Sequence, residues 1–174
     1  IGVIVTMVIT LLFFQFGLLH NWFYAIIGLL LVGIIAFLFT TVAANAIAIV
    51  GTNPVSGMTL MTLILASIIL VATGLSGTAG MVSALIIGGV VCTALSMAGG
   101  FITDLKIGYW LGSTPVKQES WKFLGTLVSA ATVGGVILIL NQTYGFTSGQ
   151  LAAPQANAMA AVIEPLMSGA GAPW

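Results

Sequence analysis

Glu164 is the one acid that stands apart from the other charged side chains of this chain. Asp104, Lys106, Lys117, Glu119 and Lys122 fall together between residues 99 and 122, whereas Glu164 lies in an apolar stretch directly before Pro165. At membrane depth a carboxylate costs on the order of 3 kcal/mol on insertion scales, and desolvation favours its protonated form. That chemistry makes Glu164 the candidate for proton coupling. The plainer alternative is a carboxylate that reaches an interface, or that pairs with a cation elsewhere in a longer protein. Just upstream, Gln155 and Asn157 place donors and acceptors at the start of the short helix that Pro154 can open.

A second set of polar groups surrounds Gly51-Thr52-Asn53-Pro54. Asn53 can cap the helix that Pro54 opens, so that free N–H groups and the positive end of the helix dipole point into the gap. That arrangement suits a carboxylate or another acceptor on a solute. Asn45, Thr52, Asn53 and Ser56, together with Gln155 and Asn157, are therefore the candidates for a substrate pathway. A plain turn outside the membrane with a good cap explains the same residues. Asp104 and Lys106 lie on one side of an extended stretch, where they could pair or gate a passage; a solvated loop that fixes topology is the other reading.

Other chemistry is thinly represented. One cysteine (Cys92) and one histidine (His20) leave no cysteine metal site, no histidine cluster and no catalytic triad. No metal, no cofactor and no enzymatic activity are expected. Cys92 reads as a small packing residue and His20 as an interfacial one. Asn141-Gln142-Thr143 matches the glycosylation pattern, but beside a membrane helix the match is weak. No basic run points to nucleic acid.

The elements that hold these residues must be membrane helices. The 174 residues are 60% hydrophobic and only 3% charged, against about 45–50% and about 25% in soluble domains. Six charged side chains cannot coat a soluble domain of this length, so its surface must face lipid or other helices. We expect an all-α, polytopic bundle of about five spanning helices and a re-entrant half-helix near the C-terminus. Together they form a single transmembrane region over 1–174 that belongs to a longer polypeptide. A span needs about 20 apolar residues. Residues 1–19, 24–50, 58–74, 81–98 and 114–140 supply the runs, with Thr114-Pro115 as cap and first helical residue of the last. Glu164-Pro165 should stop the final helix, leaving about ten residues, or roughly 15 Å. All three lysines lie within 99–122, which reads as a water-facing loop placed in the cytoplasm by the positive-inside rule. The turns at 20–23, 75–80 and 141–152 would then face outward.

Helices in lipid associate through close packing of small residues. Ala84, Gly88, Cys92, Ser96 and Gly100 recur at spacings of four, and so do Thr126, Ala130 and Gly134. Each face should touch another helix at short distance, the other member of the pair being one possibility.

Three stretches carry a family resemblance: Gly51-Thr-Asn-Pro-Val-Ser-Gly-Met-Thr59, Gly99-Gly-Phe-Ile-Thr-Asp-Leu-Lys-Ile-Gly-Tyr-Trp-Leu-Gly-Ser-Thr-Pro115 and Ala153-Pro-Gln-Ala156. In order and spacing they resemble the bacterial branch of the oligopeptide transporter family, which includes the yellow stripe-like transporters of metal chelates. The Asp-Leu-Lys-Ile-Gly-Tyr segment is the most specific. The resemblance implies a much longer, many-helix secondary transporter in the bacterial inner membrane. It implies uptake of small peptides or metal–chelate complexes driven by protons. The expected partners are that substrate, protons, membrane lipid, the rest of the transporter chain and a second copy in a homo-oligomer. Two other classes fit less well. A channel-like pore built on Asn53-Pro54, as in water channels, would need a second Asn-Pro, which this chain lacks. A membrane subunit of an ATP-driven permease would need its phosphate-binding loop on another chain.

Overall fold

A computed structural model describes residues 7–12, 22–75, 77–145 and 154–168, apart from the side chain of Ser56. All its regular structure is helical. Helix α1 covers residues 7–12, so the rest of the expected span over 1–19 lies outside the described residues. Then follow α2 (Trp22–Val50), α3 (Val55–Ala72), α4 (Gly77–Leu111), α5 (Pro115–Thr143) and α6 (Pro154–Met167). Helices α2, α4 and α5 are each long and apolar enough to cross a membrane, and α3 is a shorter apolar helix. Exposed apolar side chains cover their outer faces, from Phe37 on α2 to Leu138 on α5. Such surface has no place in water.

Several hydroxyls within the helices bond their own backbone. Thr41 donates to the carbonyls of Phe37 and Leu38, and Thr62, Ser83 and Thr132 each donate to a carbonyl one turn back. A hydroxyl in lipid has no water to bond, so its own helix supplies the acceptor. Ser67 differs: it is fully buried and its Oγ has no partner.

Helix α4 is the axis of the bundle. Helices α2 and α3 both lie along it and touch each other little, and α6 rests on α3 and α4. The face that α4 buries is Gly80, Ser83, Ala84, Ile87, Gly88, Val91, Leu95 and Gly99. These recur at three and four residues, the helical repeat. Leu63 of α3 seats over Gly88, where a Cβ would lie 2.6 Å from its Cδ2. The expected small-residue groove is thus real at Ala84 and Gly88. Cys92 is half-buried and Ser96 is exposed, because the stripe drifts around the helix.

Three expectations need correction. The charged segment 99–122 is not a loop: α4 runs on to Leu111, and only Gly112–Thr114 separate it from α5. Gly112 ends α4 with φ +69°, while Ser113 N–H bonds the Gly108 carbonyl. This is a glycine-terminated helix end that a side chain at this φ would strain. The turn before α4 is correspondingly shorter than 75–80. The final helix does not stop at Glu164 but continues through Pro165 to Met167. Proline removes one amide donor, yet Ile163 and Met167 are both buried and hold the last turn in place. The Thr126, Ala130 and Gly134 face of α5 does not pair with the α4 groove: α5 has no buried residue, and space is open around Gly134 among the described residues.

Candidate functional site

The break between α2 and α3 is built against α4. Gly51, at φ +78°, ends α2 with its N–H on the Ile47 carbonyl. Pro54, not Asn53, occupies the cap position of α3, and no side chain caps that helix. The expected capping role of Asn53 is therefore wrong. Its Nδ2 reaches across instead and donates to the Leu95 carbonyl of α4 at 3.4 Å. Gly99 makes this approach possible: a Cβ there would collide with Asn53 Nδ2 and sit 3.2 Å from Ile47 Cδ1. Thr52 is exposed at the break, and Asn45 spends its amide on the Thr41 carbonyl within α2. The side chain of Ser56 is outside the described residues.

Glu164 occupies a second site. Ala156, Met159, Ala160, Ile163 and Glu164 share one face of α6, and together with Met81 and Leu85 of α4 they line a cleft of about 330 Å³. The walls are apolar, and the Glu164 carboxylate is exposed at their edge. The lysines of the described residues all belong to the α4–α5 hairpin. From Leu85 to Asp104 the axis of α4 rises about 29 Å at 1.5 Å per residue. The cleft and the charged hairpin are thus separated by about the thickness of a hydrocarbon core. Gln155 and Asn157 are exposed on α6 but do not line the cleft. Nor do the two candidate sites merge: Leu95, beside Asn53, stands about 15 Å along α4 from Leu85.

The hairpin carries a polar seam. Lys122 Nζ lies 2.7 Å from Asp104 Oδ2 and 4.3 Å from the centre of the Phe101 ring. The expected Asp104–Lys106 pairing fails because both residues are helical, and two helical steps place them on different faces. Gln118 Nε2 donates to the Asp104 carbonyl at 2.7 Å. Gly100 and Gly108 flank Asp104 by one turn on each side and leave room for Lys122 and Gln118 to lie down on α4. Gln118 Oε1 and both Glu119 carboxylate oxygens are buried without a hydrogen-bond partner.

A family model described as "OPT oligopeptide transporter protein" matches residues 1–174, the whole chain. The chain belongs to this family. A Haemophilus influenzae protein provisionally named an oligopeptide transporter is 28% identical over 155 residues, which cover 77% of this chain and 24% of that protein. The chain thus spans about a quarter of the length of that relative. No solved structure matches the chain. Family membership and the long apolar helices make it an integral membrane protein.

Sequence reasoning singled out Asn53 and Glu164 as candidates but did not anticipate their surroundings. Met81, Leu85, Met159 and Ile163 carry no chemical signal in an apolar chain. The Gly100, Asp104, Gly108 spacing does carry one: it is a small-residue face interrupted by a charge, readable only once 99–111 is recognised as helix.

Proposed function

We propose that this chain forms part of a multi-pass secondary transporter of the inner membrane that takes up small peptides, or metal chelates, with protons. The observation that carries the reading is one helix break and one short helix laid against a single continuous helix. A stretch of four residues, 51–54, interrupts α2 and α3 beside the middle of α4, and the short α6 lines a cleft near the N-terminal end of the same helix. Irregular backbone in a membrane protein persists where protein or a water-filled cavity satisfies it, and transporters place solute sites there. At 14 residues, α6 rises about 21 Å, short of the roughly 30 Å that a full span crosses. The lysine-bearing hairpin faces the cytoplasm in this reading, which turns the Glu164 cleft outward.

The test is uptake by the full-length protein in proteoliposomes, with small peptides and iron chelates compared with and without an imposed proton gradient. Gradient-dependent accumulation of either class supports the proposal. Uptake indifferent to the gradient rejects proton symport, and uptake of neither class rejects the transport reading. Glu164→Gln belongs in the same assay. A proton carrier at this position predicts lost accumulation with exchange retained.

A further inference from the structure

We propose that the cleft between α4 and α6 is a subsite for the first residue of a peptide, with Glu164 pairing with its free ammonium and the apolar walls taking its side chain. The assignment rests on the transport reading above and gives Glu164 to the substrate rather than to the proton.

The geometry favours a ligand that is cationic at one point and apolar beside it. The cleft, at about 330 Å³, stands at the small end of the roughly 300–1,000 Å³ range of ligand pockets. It suits the end of a peptide rather than a whole one. Met81, Leu85, Met159 and Ile163 offer aliphatic and thioether surface, which adapts to side chains of different shape. Ala156 and Ala160 keep the α6 wall low. Glu164, the next residue of the same face after Ile163, adds the only charge in the lining. Among the described residues no cation answers it: the one ion pair is Asp104 with Lys122, about a core thickness away. A carboxylate at the edge of an apolar pocket is complementary to an amine attached to an apolar group, and a peptide N-terminus is that combination. The position also fits. Among the described helices the carboxylate is exposed rather than sealed, which leaves it open to a solute, whereas a proton carrier is best shielded from exchange with the bulk.

The test compares Leu-Gly-Gly with N-acetyl-Leu-Gly-Gly as competitors of peptide uptake by the full-length transporter in proteoliposomes. Acetylation removes the ammonium and keeps the side chain. A charge-assisted contact predicts that acetylation weakens competition about tenfold or more in the wild type, and that Glu164→Gln erases this difference. As a second variant, Ala160→Phe should narrow the cleft and weaken competition by Leu-Gly-Gly about tenfold more than competition by Gly-Gly-Gly. Equal competition by free and acetylated peptide in the wild type overturns the assignment, as does a preference for the free amine that survives Glu164→Gln. Accumulation lost with exchange intact in Glu164→Gln also overturns it and returns the residue to proton carriage. An equal loss for both peptides in Ala160→Phe shows that the cleft is filled by protein, and overturns the subsite. A wild type that takes up no peptide of either form removes the transport reading itself, and the subsite with it.

Discussion

Lys122 of α5 holds the Asp104 carboxylate of α4 at 2.7 Å, eighteen residues away in sequence. Helices α4 and α5 meet only around this contact, which therefore carries much of the orientation of α5. The Asp104 side chain is 40% exposed, so the pair is worth about 0.2–1 kcal/mol rather than the full Coulomb term. A double-mutant cycle on Asp104→Asn and Lys122→Met, read by thermal unfolding in detergent, should return a coupling of about that size. Phe101→Leu should add about 0.5 kcal/mol through the lost ring–ammonium contact. A coupling of zero would show that the contact does not anchor α5.

The approach of Asn53 to α4 predicts a sharp contrast between neighbouring glycines. A Cβ at Gly99 strikes the Asn53 amide, whereas at Gly89 nothing stands within 4 Å. Gly99→Ala should destabilise by about 1–3 kcal/mol through overpacking. Gly89→Ala should be neutral or stabilise by up to about 1 kcal/mol from helix propensity. Adding Asn53→Ala to Gly99→Ala should recover part of the loss. Equal melting temperatures for the two single variants would rule out the Asn53–α4 contact.

Ser67 offers a test of burial. Its hydroxyl is fully enclosed on α3 and has no partner. An unmade hydrogen bond of this kind costs about 1–3 kcal/mol. Ser67→Ala removes that cost at little loss of volume, so the melting temperature should stay level or rise. Thr62→Val, which deletes a hydroxyl bonded to the Met58 carbonyl at 2.8 Å, leaves that carbonyl with its helical partner and should change stability by less than about 1 kcal/mol. A clear fall on Ser67→Ala would mean that the hydroxyl is bonded in the folded protein.

How far the structure could be read from the sequence depended on the kind of signal. The helical class followed from six charges in 174 residues, because nothing else accounts for so apolar a surface. The break at Gly51–Pro54 was legible because those residue types have strong backbone preferences. The groove at Ala84 and Gly88 was legible from its four-residue spacing. Charge misled at 99–122: five charged residues suggested water and a loop, yet no proline and only the single Gly108 stand between Gly100 and Gly112, and α4 continues. Proline misled at Pro165, where buried neighbours outweigh one lost amide bond. The partner of Asp104 was invisible, because a contact across a hairpin depends on the turn and register, not on sequence distance. Likewise the cleft around Glu164 needed α6 to be laid on α4 before Met81 and Met159 could share a wall.

The last prediction concerns α5, whose 29 residues include none that is buried. Something other than the described helices must cover it. Lipid can cover any apolar face, but a relative about four times the length of the matched segment has protein available as well. The Thr126, Ala130 and Gly134 face is smooth enough for close helix contact, the kind of surface through which membrane helices associate. We expect it to pack against another part of the longer protein. In the full-length transporter, Gly134→Leu should then destabilise by about 1–3 kcal/mol through overpacking. Val136→Leu, two residues and just over half a turn away, should have little effect. If lipid covers both faces, Gly134→Leu should instead stabilise by up to about 1 kcal/mol, since leucine is the better helix former. The sign of that one substitution, read by thermal unfolding beside the Val136 control, decides what lies against the small-residue face of α5.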